Sequence, residues 1–179
     1  QIGVSDAPDF VTPRGGGHAE TGRALTKNNK ETERMRDPRY ERLAEVLVNH
    51  SMQIQPGDKA LVEATDIPTE MVGLLVDRIA AAGGAPFVIT RTQPVSRALY
   101  RNATEEQMKI IGEGELSLMG EMDADAGLRG AHNALELSDV PADRMQLYRE
   151  HVWHKVHSGE RVANTRWVVL RWPTPAMAQ

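Results

Sequence analysis

Apolar residues from Leu43 onward recur at i, i+3 and i+4, which is the spacing of an amphipathic helix. Asp37 directly precedes Pro38 at the start of this pattern, an arrangement typical of an N-cap residue followed by proline in the first turn. The pattern therefore predicts a first helix that begins at Asp37 and ends near His50.

Short apolar runs and helical patterns then alternate along the rest of the chain. Four runs predict strands, at residues 59–65, 85–90, 125–129 and 166–171. Helical patterns occupy residues 66–83, 94–102, 104–119 and 138–157. Thr104 and Gln107 have the spacing of a capping box at the start of the third of these. A helix between two consecutive strands allows them to pair in parallel and covers one face of the sheet. The pattern predicts an α/β domain with a mostly parallel sheet of about four strands and helices on both faces.

The first 34 residues differ from this pattern. Three consecutive glycines follow two prolines, and the polar run at residues 27–34 contains no apolar residue. A segment that buries no apolar surface cannot offset the entropy that it would lose on ordering. The sequence predicts a flexible or disordered extension over residues 1–34 and a folded domain over residues 35–179.

Composition narrows the class of protein. Aromatic residues make up only 4% of the chain, so the predicted core is aliphatic. A net charge of −4 argues against nucleic acid or an anionic membrane as a partner. The chain contains no cysteine, which excludes disulfides and thiolate metal sites. No apolar run approaches the ~18 residues of a membrane-spanning helix. We therefore expect a soluble cytoplasmic protein with no nucleic acid and no membrane among its partners.

Three histidines, His151, His154 and His157, are spaced at i, i+3 and i+6 on the last predicted helix. Neighbouring imidazoles on one helix can share a metal ion, which makes these residues weak candidates for metal ligands. Helical zinc motifs, however, place two histidines at i and i+4 with a general-base glutamate between them, and this arrangement is missing here. The pattern favours a polar helix end, so we predict no metal site in this chain.

Polar residues follow the second and third predicted strands, at the edge where open α/β sheets bind ligands. Arg91 follows the second strand, and Arg129, His132 and Asn133 follow or end the third. An arginine can clamp a carboxylate with two hydrogen bonds, and histidine or asparagine can donate to a carbonyl. These four residues are our candidates for a substrate cavity. The alternative is a loop whose polar side chains bond to their own backbone.

We identify no catalytic residue in the sequence. Its serines lack the G-x-S-x-G elbow of an activated nucleophile, and no phosphate-binding glycine loop is present. Carboxylates are frequent in the middle of the chain, and their pattern is typical of a solvated helix face. They are Glu113, Glu115, Glu121, Asp123 and Asp125.

Several longer strings together resemble a known family. They are residues 35–44 (MRDPRYERLA), 88–94 (VITRTQP), 127–133 (GLRGAHN), 137–141 (LSDVP) and 165–175 (TRWVVLRWPTP). These strings are similar to the N-terminal domain of the thermophilic aminopeptidase T family, the M29 metallo-aminopeptidases. The resemblance covers residues 35–179, and residues 1–34 have no counterpart in it.

The resemblance implies a function for the whole enzyme. Members of that family are cytoplasmic homodimers that remove N-terminal residues from peptides with two divalent metal ions, cobalt or zinc. The resemblance assigns the metal ligands to a C-terminal domain, and none of them maps onto a residue of this chain. It also implies that the present domain shapes the cavity through which peptides reach the active site. We therefore expect the isolated chain to bind no cofactor and to be inactive.

The end of the chain has a further implication. Pro173 and Pro175 break the last predicted strand, and a new helical turn starts there. This pattern favours a fragment of a longer enzyme whose C-terminal metal-binding domain is absent from this chain. Two alternatives stay open. One is a non-catalytic module that dimerises or binds peptides or small ligands, and the other is a domain that binds a small ligand or nucleotide at the strand edge.

Overall fold

The computed structural model describes residues 37–177, so the extension predicted over residues 1–34 lies outside the described residues. The strands are β1 (Lys59–Thr65), β2 (Ala85–Arg91), β3 (Ala124–Arg129) and β4 (Arg166–Arg171). The helices are α1 (Pro38–Glu45), α2 (Thr69–Ala81), α3 (Gln93–Asn102), α4 (Glu105–Met119), α5 (Ala142–Tyr148) and α6 (Val162–Asn164). Two π-helical segments, Val46–Ser51 and Arg149–Arg161, continue α1 and α5, and a 3-10 turn covers Pro175–Met177. No helix in this part of the chain is both long and apolar enough to cross a membrane.

The caps predicted for two helices are present. The side chain of Asp37 accepts a hydrogen bond from the Arg39 amide at 2.9 Å and so caps α1. Thr104 and Gln107 form a reciprocal capping box at the start of α4. Each cap satisfies amide groups that have no partner inside the helix, which is why these sequence signals locate helix starts well.

The four strands form one sheet in the order β2-β1-β3-β4, and every neighbouring pair is parallel. β1 pairs with β2 on one side and with β3 on the other, and β3 also pairs with β4. Residues in register across a parallel sheet lie on the same face, and successive residues along a strand alternate between faces. The predicted α/β class and the four-stranded parallel sheet are confirmed.

The first face of the sheet packs against α1 and α2. Val62 of β1 is buried in one cluster with Leu75 and Ile79 of α2. Trp172, just after β4, is buried in the same cluster, and its ring meets the Tyr40 ring edge-on with the centroids 5.1 Å apart. Apart from this aromatic pair the cluster is almost entirely aliphatic, as the composition predicts.

The second face of the sheet is covered by α3, α4 and the long helix that runs from α5 to α6. Leu61 of β1 is buried there with Met108 and Met119 of α4 and with Val152 and Val156 of the π-helical segment. The predicted placement of helices on both faces is therefore confirmed.

The last helix is longer than predicted. The apolar pattern predicts an end near His157, whereas the helix continues through its π-helical segment to Asn164. Helix α4 approaches this segment closely at Gly112, because a Cβ atom on that glycine would lie 2.0 Å from the carbonyl oxygen of His151. The absence of a side chain at Gly112 allows the two backbones to come this close.

We predict that Gly112→Ala destabilises the domain by roughly 2–4 kcal/mol, because the added methyl group collides with backbone that cannot rotate away. Gly114→Ala on the same helix is the matched control, since a Cβ atom there meets nothing within 4 Å. That control should stabilise the domain by about 1 kcal/mol through helix propensity alone. Urea unfolding of both variants measures the difference, and equal effects would contradict the close approach.

Candidate functional site

A cavity of about 680 Å³ lies on the second face of the sheet, at the carboxyl edge of the strands. Residues at the ends of all four strands form its floor, and α3, α4 and the long last helix form its walls. Four arginines line this space, which we therefore call the arginine cavity: Arg91, Arg129, Arg149 and Arg171.

The sheet register explains the position of three of these arginines. Thr65 pairs with Arg91 on one side and with Arg129 on the other, and Arg129 pairs with Arg171. Each of these residues is the last of its strand, so the four form one row across the sheet edge on the same face. The strand order reverses between β1 and β3, which is the point where open α/β sheets bind ligands. The structure brings two of the predicted cavity residues, Arg91 and Arg129, to this one space.

Arg91 is fixed at the cavity floor by two glutamates. Its Nη1 donates to Oε1 of Glu63 and its Nη2 donates to Oε1 of Glu115, both at 2.8 Å. Glu63 lies in the middle of β1 and is 8% exposed, whereas Glu115 belongs to α4. Burial raises the pKa of Glu115, and the charge of Arg91 opposes that increase. One guanidinium therefore ties the sheet to the helix that covers it with two charge-assisted hydrogen bonds.

His157 is buried beside this network and carries no charge at neutral pH. Burial lowers the pKa of His157 to about 4; Glu63 opposes the decrease, and the charges of Arg161, Arg129 and Arg91 reinforce it. Its Nδ1 lies 3.6 Å from Oε2 of Glu63, which is too long for a hydrogen bond.

Asp125 of β3 is fully buried on the second face of the sheet, in register with Leu61 and outside the lining of the cavity. Neither of its oxygens has a hydrogen-bond partner among the described residues, and Nη1 of Arg161 stands 3.7 Å from Oδ2. Burial, helped by the negative charge of Glu63 and opposed by Arg161, raises the pKa of Asp125 to about 7. This carboxyl therefore takes up a proton far more readily than an exposed aspartate.

The expectation of a solvated helix face holds for Glu113 alone, since Glu121 and Asp123 are exposed but lie beyond the end of α4, and the other two carboxylates are at least partly buried. Asp125 lies on a strand and is 0% exposed. Glu115 is half-buried on α4 and bonded to Arg91. Charge frequency alone misplaced them, because it does not reveal which side of an element faces the interior.

Glu63, Glu115 and His157 each offer one potential metal-ligand atom, and these atoms lie within 4.8 Å of one another. The guanidinium of Arg91, however, is already bonded to both carboxylates, so a metal ion would have to displace it. A two-metal centre also needs several ligands that converge on both ions, and within residues 37–177 this is the single cluster of three donors. The arrangement does not fit a pair of catalytic metal ions.

The structure does not bring the three helical histidines together. Nε2 of His151 lies 3.6 Å from Oε1 of Glu105. His154 is exposed, and its ring stands 5.0 Å from that of Trp153. Only His157 of the three turns toward the buried carboxylates, so the three imidazoles do not face one ion.

The other two predicted cavity residues line a second space, of about 580 Å³, toward the first face of the sheet. His132 is exposed at its rim. The side-chain Nδ2 of Asn133 donates to Oε2 of Glu136 at 3.1 Å, and the side-chain Oδ1 of Asn133 accepts from the backbone amide of Leu135 at 3.0 Å. Asn133 therefore bonds within its own loop, as the alternative interpretation of this segment describes.

Sequence reasoning missed Glu63, Arg149 and Arg171 as site residues. Glu63 carried a signal, because parallel strands that are covered on both faces are usually apolar throughout, and a central glutamate is out of place. Arg171 became recognisable only through the register with Arg129. Arg149 lies on the helical wall and carried no signal in the sequence.

We predict that Asp125→Asn stabilises the domain relative to the parent chain, and that this gain grows as the pH rises from about 4 to 8. In the parent chain the folded form holds the Asp125 proton up to about pH 7, whereas the unfolded chain releases it near pH 3.8. That difference favours unfolding progressively across this window, and asparagine removes it. The variant should gain up to about 4 kcal/mol at pH 8 and nearly nothing at pH 4.

Chemical denaturation at a series of pH values measures this gain. Asp143→Asn serves as the control, since the Asp143 side chain is 80% exposed, and its effect on stability should stay small. An Asp125→Asn variant that is less stable than the parent at pH 8 would contradict the prediction, because it would mean that ionised Asp125 forms a stabilising pair with Arg161.

Comparison with known proteins identifies the family. A family model described as thermophilic metalloprotease (M29) matches residues 36–179. Among solved structures, wild-type AmpT from Thermus thermophilus matches with a TM-score of 0.60 and 20% identity, a likeness that shows a shared fold. The match covers 76% of this chain and 36% of the Thermus chain, so this protein corresponds to little more than a third of the length of the Thermus protein. No curated protein matches the chain. Because the family model covers most of the sequence, the protein belongs to the M29 family of thermophilic metalloproteases.

Proposed function

We propose that this chain forms the N-terminal α/β domain of a metal-dependent aminopeptidase that removes N-terminal residues from peptides. The observation that carries the proposal is the family match across residues 36–179, since M29 is a metalloprotease family. The match of the chain to only 36% of the Thermus protein supports the view that further residues complete the enzyme.

In this proposal the domain shapes the cavity through which peptides arrive and does not hold the metals. The family implies divalent metal ions, and we propose that cobalt or zinc binds to residues outside this domain. The bonding of Arg91 to both Glu63 and Glu115 supports this division, because it occupies the carboxylates that lie nearest to a histidine.

We further propose that the complete enzyme is a cytoplasmic homodimer in which this domain contacts the C-terminal domain. Large apolar side chains are exposed on both edge strands of the sheet and support a packing role for these edges. They are Phe87 and Val88 on β2 and Trp167 and Val169 on β4.

A second candidate function is a non-catalytic module that binds peptides or small ligands. The arginine cavity favours it, because the cavity is complete within this chain and its volume lies in the range of small-molecule sites. The two candidate functions differ in whether the protein encoded by the complete gene binds metal ions and cleaves peptides.

The test compares the 179-residue chain with the protein translated from the complete coding region. Both are stripped with a chelator and reloaded with cobalt or zinc, and cleavage of aminoacyl p-nitroanilides is followed. We expect turnover and two bound ions per subunit for the complete protein, and neither for the chain alone. Chelator-sensitive turnover by the pure chain would place the active site within it, and a complete protein that cleaves nothing would favour the binding module.

A further inference from the structure

We propose that the arginine cavity binds the C-terminal carboxylate of a short peptide, with the apolar part of that peptide against the helical wall. The identity of the ligand as a peptide rests on the proposed function. The negative charge of the ligand follows from the cavity alone.

The cavity carries an excess of positive charge in an acidic protein. Four arginines line it against two glutamates, Glu63 and Glu115, so two positive charges remain after pairing. The neutral state of His157 adds no charge to this sum. The chain as a whole has a net charge of −4. A local concentration of positive charge in a protein that is negative overall favours the binding of an anion at that place.

Three of the four arginines form no ion pair among residues 37–177, and their positive charges exceed the single negative charge left on Arg91 and its two glutamates by two. They are Arg129, Arg149 and Arg171, in contrast to Arg91, which is held by its two glutamates. Register places the backbones of Arg129 and Arg171 side by side at the sheet edge. Both side chains line the cavity, and a guanidinium can donate two parallel hydrogen bonds, the geometry that suits a planar carboxylate.

The rest of the lining suits the apolar side chains of a peptide. Helix α4 and the long last helix contribute Met108, Ile111, Met145, Val152 and Trp153. Binding pockets for organic ligands combine such a surface with a few charged groups that fix one end of the ligand.

The cavity lacks the backbone donors that usually cradle a phosphate. Helix α3 starts at its rim, but the Gln93 amide already donates to Oδ1 of Asp66, and the next residue is Pro94, which has no amide hydrogen. A phosphate site normally uses several free amides at a helix N-terminus. Side chains alone provide the positive charge here, which favours a carboxylate.

Isothermal titration calorimetry of the 179-residue chain with N-acetyl-Leu-Leu tests the proposal, using the free acid and its C-terminal amide at low salt. Aminopeptidases cannot cleave an acetylated probe, so binding is measured without turnover. We expect the acid to bind at least about tenfold more tightly than the amide, and added salt to weaken the acid only.

Variants locate the site. Arg129→Met and Arg171→Met should each weaken binding of the acid by about tenfold or more and leave the amide unchanged. Arg78→Met is the matched control, since Arg78 is exposed on α2 outside the cavity and its loss changes the net charge equally. The control should bind like the parent, and thermal melts of all three variants verify that they fold.

Equal affinity for acid and amide, or unchanged affinity after both cavity substitutions, would overturn the proposal. Inorganic phosphate that displaces the acid at lower concentration than acetate does would also overturn it in favour of a phosphate site. These failures leave the aminopeptidase proposal standing, because that proposal depends on metals and turnover. In the same way, a complete protein without turnover would leave this binding result intact.

Discussion

The packing on the second face of the sheet depends on the two hydrogen bonds that the guanidinium of Arg91 donates. Arg91 is the last residue of β2, and its guanidinium donates one hydrogen bond to Glu63 in the neighbouring strand and one to Glu115 on α4, the helix that covers this face. A charge at Glu63, inside the sheet, would be costly without this partner. Removal of Arg91 would leave both carboxylates without this partner, so its two hydrogen bonds, the fork of Arg91, hold the sheet edge and α4 in one arrangement.

The same fork determines the character of the cavity above it. Arg91 carries one positive charge against two carboxylates, so these three side chains together leave one net negative charge, and the three other arginines outweigh it by two. His157 stays neutral for a related reason, since it is buried and surrounded by arginine charge as well as by Glu63. The result is a cavity lining with a net charge of +2 within a chain that is acidic overall.

The fold could be predicted closely because its signals are local. Strand limits at Lys59–Thr65 and Arg166–Arg171 agree with the apolar runs, and capping residues located the starts of α1 and α4. The candidate site could be predicted only in part. Arg91 and Arg129 follow from their position at strand ends, whereas Arg171 depends on strand order, and the burial of Asp125 depends on which helix covers β3. Strand order and the packing of a helix on the sheet depend on contacts between distant parts of the chain, which the local pattern of apolar residues does not indicate.

The charge state of His157 tests this account most directly, and NMR of the imidazole carbon resonances as a function of pH measures it. If Arg91 balances Glu63 as described, the His157 resonances should stay those of a neutral ring down to about pH 5 and move only near pH 4. A titration midpoint at or above pH 6.5 would contradict the account, because it would show that His157 carries a positive charge beside Glu63 close to neutral pH.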